Sequence, residues 1–346
     1  MQIGTNRRRA LKLTGLAVAL LAFAPLFARA ADAPATAEAA GPRKKVLFFT
    51  KSSGFQHSVI TRSQEDPQKL AYAEQILTDL GAKHGFDVTC SKDGTIFSAE
   101  NLQKFDVFAF YTTGDLTKDS DKHGTRKDEN GRNVRDPDKL LHKEPAMPPG
   151  AKEAFLEAIR NGKGFIGFHS ASDTFHSPAH SRGPELLRNV DEKGQDAFDP
   201  YIAMLGGEFI VHGRQQPAAH KVIDGQFPGA AAFEGARFTE EWYALKNFAP
   251  DLHVILAQDT TGMTGGMYER PFYPATWARM HGKGRVFYTS LGHREDVWQK
   301  PEFIGLVTGA LNWTSGRIEA DVTPNLKQAT PDADRKTAGA TTQAAK

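Results

Sequence analysis

The sequence predicts an α/β protein with a mostly parallel, doubly wound sheet. Two uninterrupted apolar runs, residues 46–50 and 164–168, are typical of strands buried on both faces of a parallel sheet. Segments with helical periodicity lie between such runs, which gives the strand–helix alternation of this class. The chain has 346 residues, of which 40% are hydrophobic, so one large domain can bury a substantial core.

The individual elements follow in order along the chain. The first predicted helix covers residues 66–80, where apolar side chains repeat with helical periodicity and Gly81 would end the helix. A second helix, residues 149–161, begins with a proline, and a third, residues 302–313, closes the domain. Besides the two apolar runs, strands are predicted at residues 86–90, 107–111, 254–257, 276–280 and 285–289.

Composition divides the chain into regions. Residues 1–30 are interpreted as an export signal and residues 31–43 as an Ala/Pro-rich linker. Residues 44–317 form the predicted domain, and residues 115–148 interrupt it with a charged, solvated insertion. Residues 318–346 lack aromatic side chains and periodicity, which predicts a disordered tail.

The export signal is of the twin-arginine type. Residues 6–12 (NRRRALK) precede an apolar run over residues 13–27 and an A-x-A cleavage site at residues 28–30. That run is about 15 residues long, shorter than the ~20 that a membrane-spanning helix needs. We therefore expect a periplasmic protein, with no stable membrane span after cleavage. An uncleaved membrane anchor is the alternative.

Charge and cysteine content exclude two kinds of site. The formal net charge is +2, but residues 1–30 contain five basic and no acidic residues, so the remainder carries about −3. Nucleic acid is therefore not an expected partner. Cys90 is the only cysteine, which excludes an intramolecular disulfide and a cysteine-ligated metal.

Three histidines directly follow predicted parallel strands. His57 lies in the loop after the first strand, His169 follows the run at residues 164–168, and His293 follows residues 288–292. A lone histidine in such a place is most often structural. Because ligands of doubly wound sheets bind beyond the carboxyl ends of the strands, we expect these three side chains to line one pocket and act as a unit.

Further polar residues extend this candidate site. Glu241 beside Trp242 combines a carboxylate with an aromatic ring, as sugar sites do, and His57 and His220 are additional candidate substrate-binding residues. Asp173 either orients a histidine or contributes charge to a helix start. Glu240 is equally well explained as a solvated strand-edge charge. Candidate ligands for Zn²⁺ or Mn²⁺, or else acid/base groups, are His57, His169, His212, Glu241 and His293.

Five segments together resemble the ThuA-like, trehalose-utilisation family, which is related to class I glutamine amidotransferases with a flavodoxin-like fold. The resemblance covers about residues 44–315. The motifs are KVLFFTKSSGFQHS (45–58), NGKGFIGFHSASDTFH (161–176), LGGEFIVH (205–212), TEEWY (239–243) and GKGRVFYTSLGHREDVW (282–298).

The resemblance implies a carbohydrate substrate, such as an oxidised (3-keto) glycoside. His293 and Glu295 are similar to the H-x-E pair of an amidotransferase triad, while His169 stands where that triad has its cysteine. Imidazole cannot readily perform the acyl chemistry of a thiolate, so glutaminase activity is not expected. His169, His293, Glu295 and Asp173 are the candidate catalytic residues.

Two functions remain open from the sequence. One is a periplasmic enzyme that isomerises, eliminates from or hydrolyses a sugar with the help of a divalent metal or of histidine. The other is a non-catalytic glycan-binding module that lost the amidotransferase cysteine. Both have a small carbohydrate as partner, and metal content distinguishes them.

Overall fold

A nine-stranded mixed sheet organises the protein. The computed structural model describes Met1 and residues 42–63, 65–66, 68–178 and 187–335. The strands in these residues are β1 Lys44–Phe49, β2 Phe86–Ser91, β3 Val107–Phe110, β4 Lys122–Lys127, β5 Asn133–His142, β6 Gly164–Phe168, β7 Glu208–His212, β8 Gln216–Val222, β9 Arg237–Glu240, β10 Tyr243–Lys246, β11 His253–Asp259, β12 Tyr273–His281 and β13 Gly284–Thr289.

The large sheet has a parallel half and an antiparallel half. Its strand order is β2-β1-β3-β6-β13-β12-β11-β8-β9. The first five strands in this order pair in parallel, and each later strand pairs antiparallel with its neighbour. The parallel half confirms the expectation from the buried apolar runs. The antiparallel half shows that the sheet is mixed. A two-residue turn joins β12 to β13, which only antiparallel neighbours allow, whereas residues 223–236 connect β8 to β9.

Helices cover both faces of the sheet. Alternate residues of β1 belong to opposite cores, with Val46 and Phe48 in one and Leu47 and Phe49 in the other. Helices α1 and α5 contribute to the first core, and α2, α3 and α4 to the second. The described helices are α1 Tyr72–His84, α2 Ala99–Lys104, α3 Ala151–Arg160, α4 Pro200–Leu205, α5 Pro301–Thr314 and α6 Leu326–Ala329.

Helix α1 differs at both ends from its predicted bounds. It begins at Tyr72 because the Glu74 carboxylate accepts the backbone N–H of Ala71, which caps the helix. It ends at Gly85, whose φ of 78° is left-handed. Gly81 lies inside the helix, where a Cβ would come 2.5 Å from Val88. Gly81 therefore permits close approach of helix and strand and does not end the helix.

The charged insertion contains an antiparallel hairpin of β4 and β5. Its strands are mostly exposed, but Glu144 after the hairpin is fully buried. The Glu144 carboxylate accepts the backbone N–H of Ser52 at 3.1 Å and lies 3.7 Å from the Lys122 ammonium. These contacts attach the insertion to the loop after β1, the loop that carries His57.

The described part of the predicted disordered tail is ordered. The backbone N–H groups of Asn325 and Leu326 donate to the carbonyl of Leu252, and the Asn325 side chain accepts the N–H of Val254 at 2.7 Å. These hydrogen bonds lie beside an irregularity of β11 at Val254 and hold α6 without the apolar periodicity that a sequence pattern detects. The predicted signal over residues 1–30 lies outside the described residues apart from Met1. No described helix is long and apolar enough to cross a membrane.

Candidate functional site

Three parallel strands and one antiparallel strand bring a cluster of imidazoles and a carboxylate together. His57, His169 and His293 follow β1, β6 and β13, and Glu241 directly follows β9. One ligand atom from each of these four residues lies within 4.8 Å of the other three. The ring centroid of His57 is 5.0 Å from that of His169 and 5.4 Å from that of His293. We call these four residues the His/Glu cluster.

A strained turn presents His169. Its φ is 40°, in the left-handed region that a residue with a Cβ rarely adopts, and a 3₁₀ turn over His169–Asp173 follows it. The Tyr288 hydroxyl donates to the His169 carbonyl at 2.8 Å and holds the turn. Such strain at a sharp strand-to-turn junction is typical of functional residues.

The two ring nitrogens of His169 have different surroundings. Nδ1 donates to the carbonyl of Ser290 at 2.7 Å, which assigns the proton of the neutral ring to Nδ1. Nε2 is buried, has no hydrogen-bond partner, and lies 3.5 Å from Oε2 of Glu241. With the ring proton on Nδ1, the lone pair of Nε2 faces the carboxylate, a repulsive arrangement that a cation between the two atoms would relieve.

Glu241 is the centre of the cluster. Its Oε2 lies 3.9 Å from Nε2 of His57, and its Oε1 lies 3.6 Å from Nε2 of His293 and 3.2 Å from Nδ1 of His212. Burial raises the pKa of Glu241, but the surrounding His169, His293 and His212 rings outweigh burial and hold that pKa below its usual range. Glu241 is therefore an anion that several imidazoles share.

The remaining two imidazoles of the cluster are held neutral. Burial, together with the neighbouring His169 and His293 rings, lowers the pKa of His57 to about 2. Burial likewise lowers the pKa of His293 to about 4. The Tyr243 hydroxyl lies 3.3 Å from Nε2 of His57, whose Nδ1 is buried without a partner. Neutral imidazole is the form that binds metals.

Glu240 supports the cluster from behind. It is fully buried, its Oε1 accepts the backbone N–H of Glu241 at 3.2 Å, and its Oε2 has no hydrogen-bond partner among the described residues. Its Oε1 lies 3.9 Å from Nδ1 of His293. Burial raises the pKa of Glu240 to about 8, although nearby backbone N–H groups of Gly292, His293 and Arg294 act in the opposite direction. The carboxyl group thus connects β9 to the loop that carries His293.

The donor set fits a divalent transition metal. Three imidazole nitrogens and one carboxylate oxygen are ligands that Zn²⁺ and Mn²⁺ accept. Ligands about 2.1 Å from a tetrahedral zinc lie ~3.4 Å from one another. The distances of 3.5, 3.6 and 3.9 Å from the Glu241 oxygens to the three histidines approach this spacing. Nε2 of His169, which is buried without a hydrogen-bond partner and faces Glu241, further indicates an unsatisfied site.

Several predicted site residues lie outside the cluster. Trp242 is buried in a core and its indole N–H donates to the Gln216 carbonyl, so its ring offers no platform to a sugar. His220 is buried against Trp242 and Phe233 without a polar partner. Neither side chain can reach a ligand in the cluster.

The two predicted acidic partners of the triad are also elsewhere. Asp173 pairs with His176 at 2.8 Å, not with His169. Glu295 is exposed, and within the described chain the carboxylates beside His293 are those of Glu240 and Glu241. An H-x-E pair in sequence is therefore not an ion pair in this fold. His212 is half-exposed and touches the cluster only through Glu241.

Two residues of the site were not predicted from the sequence. Tyr243 reaches His57 with its hydroxyl and stacks on His169, with ring centroids 3.9 Å apart. Phe55 is 70% exposed, and its ring packs edge-on against His57. Tyr243 follows Glu241 by two residues in TEEWY, so alternation along an extended segment was the available signal.

Comparisons with known proteins agree with the sequence motifs. The family model ThuA, described as trehalose utilisation, matches residues 189–314. A solved structure from Bacteroides uniformis, described as a ThuA-like protein, has a TM-score of 0.50 and 17% identity over 82% of this chain and 95% of that chain. The chain is similar to the ThuA-like proteins. This likeness confirms the resemblance that the motifs indicated, and at that identity it concerns the fold.

A second ThuA-like structure, from Parabacteroides merdae, has a TM-score of 0.48 and 17% identity over 85% of this chain and 99% of that chain. No curated protein matches the sequence. The segment that matches the ThuA family model contains Glu241 and His293. It begins after His57 and His169 in the sequence. The cluster thus joins the matched segment to the strand ends that precede it.

Proposed function

We propose that this ThuA-like protein is an enzyme of carbohydrate metabolism that uses a divalent metal, Zn²⁺ or Mn²⁺, bound by His57, His169, His293 and Glu241. The observation that carries the proposal is the buried Nε2 of His169, without a hydrogen-bond partner and 3.5 Å from a carboxylate oxygen. Three imidazoles this close together, two of them buried, cannot all be protonated, whereas one metal ion would satisfy all three and the carboxylate.

The substrate class that we propose is an oxidised (3-keto) glycoside. The described role of the matching family, trehalose utilisation, supports a glycoside. A metal ion in the cluster would act as a Lewis acid toward a sugar carbonyl or hydroxyl oxygen. Such polarisation favours removal of a proton from the carbon beside the carbonyl, which allows isomerisation, elimination of the glycosidic oxygen or hydrolysis.

The proposed acid/base residue is His212. Its ring is half-exposed, and its Nδ1 lies 3.2 Å from Glu241, at the edge of the cluster where a substrate can reach it. Imidazole is the commonest general base in enzymes. The exposed ring of Phe55 beside His57 would contact the apolar face of a sugar. The deeper residues hold the metal, and these two face the substrate.

Fold detail and location belong to the same proposal. The parallel strands are arranged β2-β1-β3-β6-β13. If these five strands are renumbered from 1 to 5 along the chain, their order is 2-1-3-4-5, which supports a doubly wound, flavodoxin-like half. We also propose that the protein is periplasmic, since the twin-arginine route accepts folded proteins with metal already inserted.

Metal analysis of the purified chain tests the proposal. We expect one equivalent of zinc or manganese in the native protein, its loss in His169→Ala, and its retention in His281→Ala, a matched control outside the cluster. If the histidines act as a unit, adding His57→Ala to His169→Ala changes little. A metal-free native protein that binds sugars, unchanged by His169→Ala, would instead support the glycan-binding alternative.

A further inference from the structure

We propose that a polar cleft beside His293 binds the second sugar ring of a disaccharide-like glycoside whose first ring lies at the His/Glu cluster, an inference that rests on the proposed function. The cleft has a volume of about 350 Å³, within the ~300–1,000 Å³ typical of small-molecule pockets. Its lining residues, which define the polar cleft, are Ser58, Gln215, His293, Arg294, Glu295 and Asp296.

The polar cleft adjoins the cluster at His293. His293 lines the cleft and is also one of the four clustered residues, with its ring 5.3 Å from that of His169. Ser58, on the opposite loop, directly follows His57. A ligand that fills the cleft therefore contacts a member of the cluster. A glycoside with one ring at each place would have its glycosidic bond near His293.

The chemistry of the polar cleft suits a neutral, hydroxyl-rich ligand. Arg294 donates through Nε to Asp296 and through a terminal nitrogen to Gln215, both at 2.8 Å, so its guanidinium is fixed and its charge is offset. Glu295 is exposed and has no ion pair or hydrogen bond to the described residues. Sugar hydroxyls both donate and accept, as this mixture requires, whereas the two carboxylates disfavour a phosphate or other anion.

This assignment gives Glu295 a new role. In the sequence comparison it was the expected triad partner of His293, yet other carboxylates occupy that position. At the wall of the polar cleft its free carboxylate can accept hydrogen bonds from two neighbouring hydroxyls of one sugar ring. Glu295 would then determine specificity for the second ring and take no part in the chemical step.

Calorimetric binding of trehalose and glucose tests the inference. The metal-loaded protein is compared with Arg294→Ala, Glu295→Gln and Arg126→Ala, the last an exposed hairpin residue that serves as the matched control. We expect Arg294→Ala to raise the Kd for trehalose about tenfold, the loss of roughly one charge-assisted hydrogen bond, and to leave the Kd for glucose within about twofold. Glu295→Gln should also raise the Kd for trehalose relative to the Kd for glucose. Arg126→Ala should change neither Kd.

Metal content separates the outcomes of this experiment. Equal weakening of both sugars, or no weakening of trehalose, in variants that retain their metal would overturn the second-ring assignment and leave the proposed metal enzyme standing. A metal-loaded native protein that binds neither sugar would overturn this inference for unoxidised disaccharides and leave the metal content and the proposed 3-keto glycoside to their own test. Glu295→Gln keeps the test valid if Arg294→Ala loses metal or fails to fold, because Glu295 is exposed and makes no ion pair or hydrogen bond with the described residues.

Discussion

The buried Glu240 carboxyl lies 3.9 Å from Nδ1 of His293, while its neighbour Glu241 lies 3.6 Å from Nε2 of the same ring. Two consecutive glutamates thus face opposite nitrogens of one imidazole. Glu241 is one of the proposed ligands. Glu240 lies against the loop that carries the ring, where backbone N–H groups of Gly292, His293 and Arg294 partly offset the effect of burial on its pKa, and we propose it as a positioning residue.

Substitution of Glu240 should alter metal affinity without removing a ligand. We expect Glu240→Ala to weaken zinc affinity by about 10–100-fold, the usual effect of losing an outer-shell partner. Glu240→Gln keeps an oxygen for the backbone N–H groups and should restore most of the affinity. Competition with a chromophoric chelator measures both, and Glu234→Ala, at an exposed position, is the control. If both variants bound zinc as tightly as the wild type, Glu240 would have no positioning role.

Acid sensitivity should come in part from His220. Burial lowers the pKa of His220 to about 4 from an unfolded value near 6.5, so the unfolded chain binds its proton first as the pH falls. The native state therefore loses stability between pH 6.5 and pH 4, by about 2 kcal/mol at pH 4.5 for this one group.

Denaturant unfolding of His220→Leu against wild type measures this contribution. The difference in free energy of unfolding between the two proteins should move in favour of the variant from pH 7 to pH 4.5, because leucine does not titrate. The comparison cancels the titration of the other histidines. A difference that stays constant over this range would show that His220 is not buried in its neutral form.

Export should depend on the paired arginines of the signal. The double substitution Arg7→Lys and Arg8→Lys keeps the charge but removes the guanidinium pair that the transport receptor recognises. We expect an unprocessed precursor in the cytoplasm, detected by fractionation and mass. Arg9→Lys, one position further on, is the matched control and should be processed normally. Normal periplasmic accumulation of the double variant would reject the twin-arginine interpretation.

The protein should release no ammonia from glutamine. His169 lies in a strained turn and, by the sequence resemblance, stands where an amidotransferase would have its cysteine; burial raises the pKa of the Cys90 thiol to about 11, well above the range of reactive thiolates. A coupled ammonia assay with the native protein should therefore match the His169→Ala background. Activity clearly above that background would show that a different nucleophile operates.

The sequence was sufficient to predict which histidines meet at the strand ends, but not which buried residues support them. His57, His169 and His293 could be expected to meet because parallel strands deliver their carboxyl ends to one edge. In TEEWY, by contrast, no local signal separates the proposed ligand Glu241 from the buried Glu240, which lies against the distant loop that carries His293. Contacts made by loops distant in sequence leave no periodic pattern to detect.

The same distinction explains the aromatic residues. Trp242 beside a carboxylate has the composition of a sugar site. Because side chains alternate along an extended segment, the Trp242 ring is buried in a hydrophobic core, and the next residue, Tyr243, faces the cluster. The exposed Phe55 lies in a loop, where side-chain direction depends on the backbone turn. Here Thr113 fixes that turn through hydrogen bonds with Gly54 and Phe55.

Strand β13 lies in the middle of the large sheet although it is the last strand of that sheet in the chain. Until β13 has been synthesised, β6 and β12 lack the strand that pairs with both of them. The parallel and antiparallel halves of the sheet cannot join without it. Residues 284–289 close this gap and bring His293 to the other three members of the cluster. A metal held by all four residues, as proposed, can therefore be captured only after residues 284–289 have joined the sheet.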